Sequence, residues 1–388
     1  MNRLLVALAA FATACAVSSS DEPVQKSTAP IINGSNSPSG APEDAVVLLV
    51  INDGQSQGAC SGSLIAQNLV LTARHCVSHV SDQGFACDVK GNLLGGGGTQ
   101  IGADHDPSTI GVYYGNQRPG FGDSPLAKGV KIFHPEAKTL CNTDIALVLL
   151  DVSIDGEIAK IRLDSPPVNN ETFTAVGWGV AVGDPYPNIR QHRPKVPIKH
   201  VGPYEGSFEA VPPNEFQIGE AICSGDSGGP VMATSTNAIL GVVSRGGNGT
   251  SSPTDPAAGC MNGSNFYTRV DSFRDLILGA FAEAGADPWL EGGPDPRLGK
   301  IGAKCGGDAE CRSNICLTGK SVCSQDCSTD ACPAGYQCGT DSGRTACIPV
   351  VSSGGGCRTS GDGETGGGVA LALAAVVVVS ARRRRKSV

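Results

Sequence analysis

Aromatic residues make up only 5% of this 388-residue chain and charged residues 17%, with 3 methionines and 2 tryptophans. Such low charge excludes a coiled coil or a helical repeat array, which are built from long stretches of charged helix formers. Long apolar runs are equally scarce. The longest, Val369–Val379, has 11 residues, too short for a polytopic membrane protein whose spans need about 20 each. Positive charge is outweighed, 29 Lys and Arg against 37 Asp and Glu, and the net −8 speaks against a nucleic-acid partner. What the chain does have is turn chemistry. Its 53 glycines and 25 prolines, about a fifth of all residues, favour loops and short strands. Its 16 cysteines argue against a reducing cytoplasm. The length allows two to three domains.

Both ends read as processing signals. Residues 1–14 place Arg3 before an apolar stretch from Leu4 and then small residues, as a secretory leader does. Cys15 follows Ala12-Thr13-Ala14 and resembles a bacterial lipobox, with Ala12 where Leu is usual. It is a lipidation candidate; the alternative is an ordinary cleaved leader in which Cys15 is incidental or removed. The far end, 349–388, runs through Gly354-Gly355-Gly356-Cys357 to Val369–Val379 and the basic Arg382–Lys386. Even counted from Gly366 to Ala381, a helix there would be about 24 Å long, short of a bilayer core of about 30 Å. Gly-Cys, short apolar helix and Arg cluster resemble the C-terminal sorting signal of myxobacterial surface proteins, with Cys357 as the sorting candidate. Residues 358–388 carry six positive and two negative charges, so the mature chain is more acidic still.

The other cysteines fall into two even groups, as a disulfide framework requires. Six are Cys60, Cys76, Cys87, Cys141, Cys223 and Cys260; eight crowd into 305–347. The dense group has no C-x-x-C pair and no histidine, which argues against zinc. A segment that small cannot bury an adequate core without crosslinks, and eight cysteines allow 105 connectivities. Organisation follows: leader 1–14, propeptide or linker 15–30, a large domain 31–286, a Pro/Gly linker 287–304, an eight-cysteine module 305–348 and the terminal signal 349–388. Inside the large domain, Val46–Ile51, Leu69–Thr72, Ile145–Leu150, Phe173–Gly177 and Ala238–Ser244 alternate with turn residues, the pattern of an all-β sandwich or barrel. One helix closes it, with Phe273, Leu276, Ile277, Ala280 and Phe281 on a single apolar face.

Three segments carry chemistry. The first runs from Cys60-Ser-Gly-Ser to Thr-Ala-Arg-His75-Cys76, the second is Asn142-Thr-Asp144-Ile-Ala-Leu, and the third is Cys223-Ser-Gly-Asp226-Ser227-Gly-Gly-Pro230. Ser227 needs a base to become a nucleophile. His75 titrates near neutrality and can supply it. Asp144 can hold the His75 tautomer and stabilise its imidazolium. The glycines let a substrate carbonyl approach the backbone, where the N–H groups of Gly225 and Ser227 would form an oxyanion hole. The remaining histidines, His79, His105, His134, His192 and His200, have no comparable context and read as surface or structural.

In chain order and spacing these segments resemble the His, Asp and Ser signatures of trypsin/chymotrypsin-like serine endopeptidases, over Ile31 to about Ala286. The resemblance implies an all-β fold of two antiparallel six-stranded barrels with a C-terminal helix, followed here by the disulfide-rich module. It implies the pairs Cys60–Cys76 and Cys223–Cys260, which leaves Cys87 with Cys141 beside the Gly-rich stretch 91–98. Ile31-Ile32-Asn33-Gly34 resembles the new N-terminus of an activated protease, whose amine pairs with the carboxylate beside the nucleophile, here Asp226. Pro30 departs from the usual Arg or Lys, so a trypsin-like activator would not make that cut. The pocket base aligns with Ala221. Ser244, Arg245 and Gly246 align with the substrate-pairing segment, Arg245 standing where Trp is usual, and Asn265 aligns with a pocket-wall glycine. These residues suggest a preference for a small or medium uncharged residue before the scissile bond. Arg74 replaces the usual Ala beside His75.

The sequence thus implies an exported serine endopeptidase, attached to the cell surface or outer membrane or released. It acts on proteins or peptides, needs no metal or organic cofactor, meets processing and sorting machinery of the cell envelope, and touches membrane only through its terminal signals. The competing expectation is an inactive protease-like surface binding or adhesion protein.

Overall fold

The computed structural model describes residues 31–350 except 41, 55–56, 82–84, 95–99, 121, 181–183 and 208. The leader, Cys15, the segment through Pro30, Cys357 and the terminal signal beyond Val350 lie outside the described residues. So do residues 95–98 of the Gly-rich stretch.

Six strands close the first barrel: β1 (Val46–Asn52), β2 (Gln57–Ala66), β3 (Leu69–Thr72), β4 (Ile110–Tyr113), β5 (Ala127–Phe133) and β6 (Ala146–Leu150), in the order β5-β6-β3-β2-β1-β4. Six more form the second: β7 (Thr172–Gly177), β8 (Gln191–Val201), β9 (Glu215–Ile218), β10 (Pro230–Ala233), β11 (Ala238–Gly247) and β12 (Ser264–Arg269). Their order is β8-β7-β10-β11-β12-β9, and β9 pairs back onto β8. Every pairing within the two rings is antiparallel.

The continuous apolar runs have a simple cause. Side chains alternate across a strand, and here both faces are buried. In β1, Val47, Leu49 and Ile51 point into the first barrel, while Val46 and Leu48 enter a core shared with the second barrel and the helix. In β6, Ala146 and Val148 face inward and Leu147 faces that shared core. Phe173, Phe216 and Tyr267 fill the second barrel, with Phe216 and Tyr267 stacked at 5.2 Å. The helix α1 (Arg274–Ala284) buries Ile277, Ala280 and Phe281 and ends at Gly285, φ 65°, a left-handed cap that glycine adopts without strain.

The linker expectation for 287–304 does not hold at its start. Leu290 packs on the shared core, Ile161 donates to the Trp289 carbonyl and accepts from Glu291, and Arg162 bonds both Glu291 oxygens. The Pro and Gly residues that suggest a linker mark turns of a docked segment.

The eight clustered cysteines form two pairs of interlaced bridges. Cys305–Cys316 and Cys311–Cys323 lie in the first compact unit, which ends at Gln325. Cys327–Cys338 and Cys332–Cys347 lie in the second, where they staple a hairpin of Tyr336–Asp341 and Arg344–Pro349. Among the described residues no helix is long and apolar enough to cross a membrane.

Candidate active site

His75 sits in a single tight turn (Arg74–Cys76) immediately after β3, and Asp144 lies two residues before β6. Because β3 and β6 are neighbours in register, Thr72 opposite Ala146, the two side chains meet at one end of the barrel. His75 Nδ1 lies 2.8 Å from Asp144 Oδ2, and the His75 backbone N–H donates to Asp144 Oδ1 at 3.0 Å. Ser244 Oγ donates to Asp144 Oδ2 at 2.7 Å. Asp144 is fully buried. Burial alone would lower the His75 pKa, but the charge and hydrogen bond of Asp144 prevail and hold it above its ordinary value. Burial would raise Asp144, yet the same His75 contacts and the Ser244 hydroxyl keep it below the usual carboxylate range.

The turn is fastened twice. Cys60–Cys76 ties it to β2. Arg74, buried, donates to Ser78 Oγ at 2.6 Å and to Asp104 Oδ1 at 3.0 Å, and Asp104 also takes Ser78 and His134. Its role, opaque in the sequence, is to anchor the His75 turn to the neighbouring strand Ile101–Asp104.

Ser227 comes from the second barrel, on the loop between β9 and β10. Ser61 of β2 joins that loop to the first barrel: its N–H donates to the Ser227 carbonyl at 2.8 Å, its Oγ donates to the Gly225 carbonyl at 2.9 Å, and Trp178 N donates to its Oγ. Gly228, at φ 74°, makes the docking possible, since a Cβ there would stand 2.1 Å from Thr72 Oγ1 and 2.6 Å from the Ser61 carbonyl. Gly225, at φ 95°, likewise packs against Gly179. Among the described residues the N–H groups of Gly225 and Ser227 have no acceptor. Nor does a hydrogen bond join Ser227 Oγ to His75; such bonds often tighten only when substrate binds.

His75 and Ser227 share one cleft of about 1220 Å³, whose walls include Ser244, Arg245, Gly246 and Asn265. Cys223–Cys260 braces its edge and Cys87–Cys141 joins the small hairpin of Phe85 to the Asp144 loop. Ala221 is fully buried among residues of the second-barrel core. Asn265 lies on the cleft wall. Its amide donates to the Gly219 carbonyl at 2.8 Å, and its Oδ1 would be 1.9 Å from a Cβ on Gly246. The neighbouring Glu220 carboxylate is turned away, onto Asn33 and the Asn262 N–H.

Arg245 lies between Phe85 and Phe266, 5.2 and 4.5 Å from the ring centroids, and pairs with the buried Glu215 at 2.6 Å. Glu215 also accepts from Asn142 N at 2.7 Å. This contact between the cleft wall and the Asp144 loop spans more than a hundred positions, and no local motif announces Glu215.

Ile31 and Ile32 are both buried. Ile32 packs with Cys223 and Asn33 reaches Glu220, so this segment lies along the strip leading to Asp226. Asp226 is fully buried, accepting from Gly179 N and Cys223 N. Burial pushes its carboxyl up to about 7 despite those two donors and the positive charge of Arg118.

Comparison with known proteins adds an independent finding. A family model described as Trypsin matches residues 31–277. The chain is 30% identical over 276 residues to phenoloxidase-activating factor 1 of Holotrichia diomphalia, covering 64% of this chain and 69% of that protein. It is 26% identical over 254 residues to the thrombin-like enzyme elegaxobin-1 of Protobothrops elegans, with 61% and 90% covered. A collagenase of Hypoderma lineatum is 28% identical over 298 residues, with 71% and 97% covered.

Proposed function

We propose, from the premise that the chain belongs to the trypsin family and is a serine endopeptidase, that Ser227 is its nucleophile, His75 its general base and Asp144 the residue that orients His75. One observation carries this: a fully buried carboxylate bonded to His75 Nδ1, in a cleft that His75 shares with Ser227. Ser227 Oγ attacks the scissile carbonyl as His75 Nε2 takes its proton. The tetrahedral oxyanion is met by the N–H groups of Gly225 and Ser227. His75 then protonates the leaving amine, and water repeats the sequence on the acyl-enzyme. Peptide hydrolysis by the mature chain, absent in Ser227→Ala, tests the assignment.

Substrates carry a small or medium uncharged residue before the scissile bond. The support is Asn265, which narrows the pocket against Gly246, together with the absence of charge at Ala221. Asn265→Gly is expected to raise the kcat/KM ratio for phenylalanine over alanine at that substrate position by at least about tenfold. An unchanged ratio would refute the pocket assignment.

Cleavage after Pro30 activates the protein by freeing the Ile31 amine to pair with Asp226. The raised Asp226 pKa marks a carboxylate buried without an adequate counter-charge. In the uncut chain the unfolded state loses this proton near 3.8 and the folded state near 7, so folding stability falls as pH rises between those values. The uncut Ser227→Ala chain should therefore lose about 2–3 kcal/mol between pH 5 and 8. The same variant beginning at Ile31 should not, because the amine now pairs with the carboxylate. Denaturant titrations at the two pH values measure this, and parallel behaviour of both forms would contradict the activation scheme.

The protein is exported through the leader ending near residue 14. It is held at the cell surface by Cys15, by the 349–388 signal through Cys357, or by both. Seven disulfides among the described residues agree with an oxidising compartment.

A further inference from the structure

Asp53, His79 and His105 converge on the first barrel outside the cleft. Asp53 follows the end of β1, His79 lies in the strand Ser78–Val80 four residues after His75, and His105 follows the strand Ile101–Asp104 that pairs with it. One ligand atom from each residue can be chosen so that all three lie within 4.8 Å of one another. The two imidazoles stand 4.1 Å apart, tilted by 53°. His105 Nδ1 faces Asp53 Oδ2 at 3.9 Å, too far for a hydrogen bond. That nitrogen is buried and has no hydrogen-bond partner among the described residues. A buried nitrogen left in this state is costly unless something occupies the gap.

We propose that Asp53, His79 and His105 bind one divalent transition-metal ion of the zinc class. Two imidazoles and one carboxylate suit zinc, whereas magnesium and calcium prefer all-oxygen sites. Ligands held at about 2.0–2.1 Å around a tetrahedral ion lie about 3.4 Å apart. The trio needs to close by little more than an ångström, and the exposed His79 can turn to do it. Water would complete the coordination. The other close Cys and His groupings among the described residues, at 60/75/76, 305/311/316 and 327/332/347, have their sulfurs consumed in disulfides.

The ion would crosslink three segments. His105 N donates to the Val77 carbonyl at 2.9 Å, so the crosslink acts on the chain that carries His75 without touching the reacting groups. The site stands whether or not the catalytic assignments are correct.

Calorimetric titration of the chelator-stripped protein with zinc tests the proposal, alongside His79→Gln and His105→Gln. The Co2+ absorption spectrum provides a second readout. Wild type is expected to bind one equivalent, and each variant to bind at least about tenfold more weakly while keeping its reactivity toward an active-serine probe. His79 is exposed, so His79→Gln decides the question alone if His105→Gln fails to fold. Equal affinity in wild type and His79→Gln would place the ion elsewhere, at His75 or His134, and overturn the proposal. So would the absence of binding by wild type up to about 1 mM zinc.

Discussion

Ser227→Ala is expected to lower kcat by about a millionfold while leaving the fold intact. The loss is that large because the acyl-enzyme route disappears entirely; what remains is the oxyanion hole and substrate binding acting on water. Folding should survive because the contacts that dock the loop come from backbone groups and from Ser61 Oγ. Ser61 N donates to the Ser227 carbonyl, and Gly228 N donates to the Val243 carbonyl; neither involves the Ser227 hydroxyl. Adding His75→Ala should cost almost nothing further, since base and nucleophile act as a unit. Steady-state kinetics on a peptide substrate, with circular dichroism to check folding, give the result. A loss of less than about a hundredfold would mean that another group attacks the carbonyl.

Asp144→Asn should lower kcat by about 10⁴-fold with the geometry preserved. Asp144 accepts from His75 Nδ1, His75 N and Ser244 Oγ and has no access to water. An asparagine amide can occupy the same space, but a nitrogen placed toward Nδ1 becomes a donor there. His75 would then carry its proton on Nε2, where Ser227 needs a lone pair. The variant should also shift the pH profile. In the wild type the Asp144 charge and hydrogen bond outweigh burial and raise the His75 pKa, so the acid limb of kcat/KM lies above that of an ordinary imidazole. Without that charge only burial remains, and the limb should move to lower pH. A loss in kcat with an unmoved acid limb would mean that Asp144 does not set the His75 titration.

The barrels were readable in the sequence because several of their strands are buried along almost their whole length. Runs such as Val46–Ile51 and Ile145–Leu150 therefore stand out against Gly- and Pro-rich turns. The helix was readable from its 3.6-residue period, and its buried face is Ile277, Ala280 and Phe281. The catalytic candidates were readable because each lies in a short contiguous segment. What escaped is long-range. The docking role of Ser61 and the bond of Ser244 to Asp144 depend on what folds against these small residues, 117 positions away at Trp178 and 100 positions away at Asp144. Glu215 and Arg245 form a buried pair that neither neighbourhood suggests. The segment after Ala286 looked like a linker because turn residues are the same whether a turn is free or docked.

The account rests on a single nucleophile at Ser227 in a chain that begins at Ile31. Intact mass and N-terminal sequencing of the mature protein, before and after a fluorophosphonate serine probe, test this most directly. The account predicts a start at Ile31 and one adduct in the wild type, with no adduct in Ser227→Ala. A chain that starts at Ile31 and takes up no probe, or labels equally in Ser227→Ala, would contradict it.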